Sequence, residues 1–67
     1  MNTIKVIEIM TESPESWEHA TQLAVEHAAK TVRHIKSVWI QDMSAVVSSG
    51  KITAFRVNAK VSFEVDG

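Results

Sequence analysis

Cysteine is absent from this 67-residue chain, and it holds only two glycines and one proline. Without cysteine, neither a disulfide framework nor a thiolate metal site can form. A domain this short has a thin hydrophobic core and usually needs disulfides, a metal or oligomerisation for stability. The three histidines do not have the spacing of a zinc site. The composition therefore favours oligomerisation as the source of stability.

An excess of one charge is also missing, because seven basic and eight acidic residues give a formal net charge of −1. This balance argues against a nucleic-acid-binding surface or a polybasic membrane patch. No apolar run approaches the ~18 residues that span a bilayer. The first residues lack the basic and apolar regions of a secretory signal. We therefore expect a cytoplasmic protein with no nucleic-acid or membrane partner.

Catalytic motifs are equally scarce. The chain has no cysteine nucleophile, no glycine-rich phosphate loop and no pair of carboxylates at a diagnostic spacing. Serines and histidines occur, but no spacing links them to each other. The sequence thus predicts a protein that is not an enzyme.

The clearest pattern lies in residues 52–65, where apolar and polar side chains alternate after Thr53. Such alternation predicts a strand with two unlike faces. Fourteen residues would span roughly 46 Å, whereas a compact chain of this length has a diameter of about 28 Å. The strand must therefore either curl strongly or reach past its own fold and pair with neighbouring chains.

A first strand and a helix are predicted before this segment. Residues 3–10 alternate loosely with apolar side chains on both faces, which predicts a strand buried on both sides. The helix is predicted over residues 14–34, with Ser13 as N-cap and Pro14 at the first helical position. Residues at a spacing of three or four predict the stripe that faces the sheet: Trp17, Ala20, Leu23, Ala24, His27, Ala28, Thr31 and Ile35.

A second strand is predicted over residues 37–47, followed by a turn over 48–50 in which Gly50 can adopt a positive φ. The short turn joins two long strands and predicts an antiparallel hairpin. The fold class is α+β: a single β-α-β-β domain over residues 1–67, with one helix on one face of a three-stranded antiparallel sheet.

The sheet face that the helix leaves uncovered mixes polar and apolar side chains. We predict that it is buried against another subunit or a ligand. Its expected residues on the last two strands are Ser37, Trp39, Gln41, Met43, Arg56, Asn58 and Lys60.

The order of elements and a set of residues spread over the chain together carry a family resemblance. The residues are 5–9, Ser13, Pro14, Glu18, Ala20, 31–34, Gly50, Val57, Lys60, Val61 and Phe63. They resemble the dodecins, small flavin-binding proteins whose β-α-β-β subunits assemble as hollow shells of twelve copies. The resemblance runs without gaps over residues 5–67. It implies a homo-dodecamer.

Two positions depart from the flavin-binding pattern of that family. Flavin-binding members carry a tryptophan where this chain has Ser37, and its indole stacks on the isoalloxazine ring. They carry a glutamine that hydrogen-bonds the flavin edge where this chain has Arg56. Trp39 lies two residues beyond Ser37, about 7 Å along the same strand face. The chain therefore resembles a branch that lacks the usual flavin-stacking tryptophan.

The first functional hypothesis is a shell that stores a small planar ligand between subunits. Flavin, as riboflavin, FMN or FAD, is the first candidate because of the resemblance. Trp39 would stack on the ring, and Gln41, Arg56 and Ser37 would supply polar contacts. Packing at a subunit interface is the competing interpretation of Trp39. An ion pair with a neighbouring chain is the competing interpretation of Arg56.

The second hypothesis is a flavin-free shell of the same assembly that holds divalent cations at subunit interfaces. Wider members of the family hold ions on their symmetry axes, so calcium or magnesium is implied. Glu8, Asp42 and Glu64 are the candidate ligands. Calcium normally takes 6–8 oxygen ligands, and no continuous loop in this sequence supplies them, so several chains would have to contribute.

Sedimentation directly tests the prediction that the last strand pairs with neighbouring chains. A single copy leaves its hairpin uncovered, so we expect an assembly, and the resemblance implies a species of about twelve times the 7.4 kDa chain. Analytical ultracentrifugation measures this mass. A stable, folded species of one chain would contradict the assembly and every intersubunit site that depends on it.

Overall fold

The computed structural model of the chain describes residues 3–65, which form one helix on one face of a three-stranded antiparallel sheet. The elements are β1 (Thr3–Ser13), α1 (Trp17–Ala29), β2 (Ile35–Ser48) and β3 (Lys51–Val65). The sheet order β1-β3-β2 places the last strand in the centre. This confirms the predicted fold class and element order. Residues 1, 2, 66 and 67 of the predicted single domain lie outside the described residues.

The central strand β3 has the two unlike faces that its alternation predicts. Val57, Ala59 and Val61 are fully buried beneath the helix, while the intervening residues face away from it. The molecule measures 51 × 19 × 13 Å, with a radius of gyration of 13.7 Å. A compact chain of this length would have a radius near 11 Å. The long hairpin therefore extends well past the helix.

Alanines hold the helix close to the sheet. Ala20, Ala24 and Ala28 are buried, and their small side chains let the backbone of α1 approach the apolar face of β3. No helix within residues 3–65 has the length and apolar character needed to cross a lipid bilayer.

The helix begins later than predicted. Ser16 is the N-cap, with extended backbone angles, and its hydroxyl accepts the backbone N–H of His19 at 2.9 Å. The prediction of Ser13 as N-cap was wrong: its hydroxyl accepts the N–H of Glu15 at 2.9 Å and belongs to the end of β1. Pro14 consequently precedes the helix, in the connection.

The helix also ends earlier than the predicted residue 34. It stops at Ala29, and the N–H groups of Thr31 and Val32 both bond to the carbonyl of Ala28, at 3.0 and 2.9 Å. His34 has a φ of 61°, which a right-handed helix cannot accommodate. The chain needs these residues to reverse direction before β2, so the basic residues after Lys30 lie outside the helix.

A β-bulge in β2 corrects the predicted face assignment of that strand. Ile40 pairs with Ala59 and Asp42 pairs with Asn58, so Gln41 is the extra residue without a register partner. One extra residue reverses the alternation of the residues that follow it. Met43 therefore lies on the helix side, although the sequence predicted it on the opposite face.

The hairpin turn matches its prediction. Ser49 and Gly50 have φ values of 52° and 76°, and Ser48 pairs directly with Lys51. Positive φ at both central residues suits the right-handed twist of the flanking strands.

Strand β1 is longer and less buried than predicted. It continues to Ser13, because the polar residues Thr11, Glu12 and Ser13 still pair with β3. The prediction that β1 is buried on both sides was wrong for a single chain. Ile4, Val6 and Met10 are 50%, 55% and 60% exposed, since the helix covers only the other side.

The alanine stripe generates a stability prediction. Ala24→Leu inserts three carbons into a fully buried contact and should lower the free energy of unfolding by about 1–3 kcal/mol. Urea denaturation at one fixed protein concentration measures the change. Ala29→Leu, at an exposed position of the same helix, is the matched control and should change stability by under about 0.5 kcal/mol. Equal effects would contradict close packing at Ala24.

Candidate functional site

We call the sheet face opposite the helix the open face. The pairing of the three strands arranges its side chains in cross-strand rows, with β3 in the middle of each row. From the chain ends towards the hairpin turn, the rows with one residue from each strand are Val6–Ser62–Ser37, Glu8–Lys60–Trp39, Met10–Asn58–Asp42 and Glu12–Arg56–Ser44, and the pair Ile4–Glu64 precedes them.

The first two rows enclose a concave cavity of about 500 Å³, which we call the open-face pocket. Trp39 forms one wall and is 64% exposed, so most of its indole surface is available for contact. The other lining residues are Val6, Glu8, Ser37, Lys60 and Ser62. The pocket thus combines a flat aromatic surface with hydroxyls and one charge of each sign.

The charged groups of the pocket are not paired with each other. The Lys60 ammonium lies 5.4 Å from the centre of the Trp39 ring, within range of a cation–π interaction. Within residues 3–65, Lys60 forms no ion pair. The carboxylate of Glu8, directly opposite Lys60 in the register, instead accepts a hydrogen bond from the Asn58 amide at 2.8 Å.

Two serines form the floor of the pocket. The hydroxyls of Ser37 and Ser62 are hydrogen-bonded to each other, and the Ser62 hydroxyl lies 3.4 Å from the Ser37 carbonyl oxygen. If Ser62 donates to that carbonyl, the Ser37 hydroxyl donates to Ser62. Both hydrogens then have acceptors within the chain, and the floor presents oxygen lone pairs.

The structure brings together some of the predicted ligand residues and separates others. Ser37 and Trp39 line one pocket. Arg56 lies four residues along β3 from Lys60, about 13 Å away, where its guanidinium pairs with Glu12 of the same chain. Gln41 is exposed at the bulge and does not line the pocket.

The three predicted metal ligands do not converge within one chain. Glu8 and Asp42 lie in neighbouring rows on opposite edge strands, while Glu64 lies two rows beyond Lys60, on the far side of the pocket. Among residues 3–65, no three acidic or histidine side chains form a group that could hold a metal ion.

The sequence interpretation did not assign Val6 or Ser62 to the pocket, and it did not identify the position of Lys60 beside Trp39. Alternation placed Lys60 on the correct face, but it does not give the pairing register. The register of β3 with both neighbours selects which residues meet across the sheet.

Trp17, which the sequence placed in the helix stripe that faces the sheet, is held by contacts within the chain. Its ring packs edge-to-face on Phe55, with centroids 4.8 Å apart, and its indole N–H donates to the Ser44 carbonyl at 2.9 Å. A second cavity of about 500 Å³ lies beside it between α1 and β2, where the narrow helix leaves Val38, Ile40 and Met43 partly uncovered.

One serine–histidine contact was not predicted. The Ser13 hydroxyl and the Glu15 carboxylate approach the same ring nitrogen of His19, at 2.6 and 3.2 Å. A catalytic triad places the hydroxyl and the acid on opposite nitrogens. The cluster also contains a fully buried Ser13, so its geometry is that of a structural contact at the start of the helix.

Comparison with known proteins agrees with this architecture. The model of the family described as Dodecin matches residues 3–66. Calcium dodecin from Mycobacterium tuberculosis is 45% identical over 67 aligned positions, which cover 97% of this chain and 92% of that protein.

Solved structures of dodecins share this fold. A crystal structure of the calcium dodecin of M. tuberculosis, described as calcium chelating, has a TM-score of 0.82 at 37% identity, over 96% of this chain and 91% of that one. A variant of the Thermus thermophilus dodecin has a TM-score of 0.92 at 24% identity over the whole of both chains, which is a likeness of fold.

Proposed function

The chain belongs to the dodecin family, and from this premise we propose that it is a non-enzymatic shell that binds and stores a small planar ligand, with flavin the first candidate. The observation that carries this proposal is the open-face pocket with its exposed Trp39. An accessible indole offers a flat surface on which an aromatic ring can stack, with a gain of about 0.5–1.5 kcal/mol beyond the area buried.

Ser37 supports a displaced position for the ligand. A serine in place of the tryptophan of flavin-binding relatives leaves space above Ser37. Trp39, in the neighbouring cross-strand row, forms the wall of that space. A ring standing against Trp39 would have its edge above the serine oxygens. Those lone pairs suit a ligand that carries an N–H at its edge.

The pocket is open to solvent in one chain, so we infer that neighbouring copies complete it. Among residues 3–65, eight large apolar side chains are exposed, on both faces and at the hairpin turn, and we infer that part of this surface is an interaction site. A dodecamer of the kind that the family resemblance implies would bury these residues and enclose the ligand between subunits. Sequestration of this kind would protect a flavin or quench its photochemistry.

The flavin proposal predicts quenching of riboflavin fluorescence on titration with the protein at micromolar concentration. Trp39→Leu should weaken binding at least about tenfold, equivalent to about 1.4 kcal/mol, because it removes the stacking surface. Fluorescence titration gives both dissociation constants.

Ser48→Ala is the control, since Ser48 is an exposed polar residue on the same strand outside the pocket. It should bind riboflavin like the original chain. Absence of quenching by the original chain, or equal binding by Trp39→Leu, would contradict a flavin stacked on Trp39.

A second candidate function is divalent-cation storage. It is favoured by the oxygen-bearing side chains around Asn58, which contacts Glu8 and lies opposite Asp42 on the open face. These groups come from three strands, and further oxygens from neighbouring copies would be needed for calcium. The similarity to calcium dodecin supports the same candidate. Glu64 would contribute only as the residue of another copy.

Calcium storage predicts a rise in melting temperature with added calcium chloride, since a ligand that binds only the folded state stabilises it by mass action. At one hundred times the dissociation constant, the gain is about 2.7 kcal/mol. Asp42→Asn should reduce the rise, whereas Glu18→Gln, on the exposed side of the helix, should not. An unchanged melting temperature with the original chain would reject this function.

A further inference from the structure

We propose that the open-face pocket selects planar ligands that carry a negative charge, that Lys60 binds this charge, and that Asn58 is a positioning residue that keeps Lys60 available. This inference rests on the proposed ligand-binding function and specifies the chemical class of its ligand.

Lys60 is the first part of the argument. Its ammonium is held beside the Trp39 ring at 5.4 Å, and within residues 3–65 it has no carboxylate partner. A ligand that stacks on the indole therefore comes within reach of an unpaired positive charge. Among the residues that line the pocket, Lys60 is the one cationic side chain.

Glu8 is the group that would otherwise neutralise Lys60. The two residues lie directly opposite each other on β1 and β3, a placement in which opposite charges commonly pair. The Glu8 carboxylate is instead bound by the Asn58 amide at 2.8 Å. Asn58 belongs to the next row towards the hairpin turn, so this bond draws the carboxylate away from the serine floor.

Arg56 does not compete for the ligand's charge. Its guanidinium is bound to Glu12 two rows from Lys60. Of the two cationic side chains in these cross-strand rows, Arg56 and Lys60, Lys60 is therefore the one without an ion pair. The pocket offers an indole, hydroxyl oxygens and one ammonium, and its one carboxylate, Glu8, is bound by Asn58. These groups together suit an aromatic ring with an anionic group such as a phosphate, carboxylate or sulfonate.

The test compares FMN with riboflavin, which share one ring system and differ by a phosphate. The readout is the ratio of their two dissociation constants at low ionic strength, so that any loss common to both flavins cancels. The original chain should favour FMN by about tenfold or more, the scale expected for a hydrogen bond to a charged group. Lys60→Met should reduce the ratio to about one, and Lys60→Arg should retain most of it.

Lys51→Met is the control for net charge, because Lys51 is an exposed lysine at the hairpin turn. It should keep the original ratio. A ratio that falls equally in Lys51→Met and Lys60→Met would reflect overall charge and overturn the role of Lys60.

The positioning role of Asn58 is tested by a substitution that removes its hydrogen bond to the Glu8 carboxylate. Asn58→Leu should lower the ratio towards one, because the freed carboxylate can pair with Lys60. Adding Glu8→Gln to this variant should restore the preference for FMN. A merely structural effect of Asn58→Leu would not be reversed by Glu8→Gln, and that outcome would overturn the positioning role.

A probe unrelated to flavin separates this inference from the flavin proposal. Anilinonaphthalene sulfonate and its uncharged parent phenylnaphthylamine form a second matched pair with fluorescent readout. Lys60-dependent preference for the sulfonate without flavin binding would support charge selection and reject flavin. If the chain binds riboflavin but Lys60→Met leaves the charge preference unchanged in both pairs, the flavin proposal is supported and charge selection by Lys60 is rejected. If the original chain binds neither pair, both proposals fail.

Discussion

The structure depends on one mismatch of lengths between the central strand and the helix that covers it. Strand β3 has 15 residues and spans about 50 Å, whereas the 13 residues of α1 span about 20 Å. The helix therefore buries the middle of one sheet face and leaves the rest of that face exposed. The small buried core consists of alanines and valines, and additional burial has to come from contacts beyond a single copy.

Much of the fold could be predicted because its signals are local. Alternation identifies β3, and Gly50 marks a turn that needs positive φ. The start of the helix is harder to predict from sequence, since Ser13 and Ser16 are equally good N-caps by residue type. The choice between them is made by the pairing of Ser13 with Phe55 across the sheet, a long-range contact that extends β1 through the predicted cap.

The bulge at Gln41 limits how far the candidate site could be predicted. Simple alternation after Trp39 would place Met43 on the open face and Asp42 on the helix side. The extra residue reverses both positions, so the polar Asp42 and Ser44 face away from the helix. Ser37 and Trp39 precede the bulge, which is why they were correctly placed. Arg56 was placed on the correct face, but only the register reveals that Glu12 is its partner.

The orientation of the Glu8 carboxylate decides which charge the open face accepts. Turned towards Asn58, it leaves Lys60 as an unpaired cation beside Trp39, and an anionic ring is favoured there. A calcium ion near Glu8 and Asp42 would draw the same carboxylate further from Lys60 but would itself repel the ammonium. Both candidate functions therefore depend on the position of this one carboxylate: bound to Asn58, it would leave Lys60 to an anion, whereas a cation would need its oxygens together with those of Asp42.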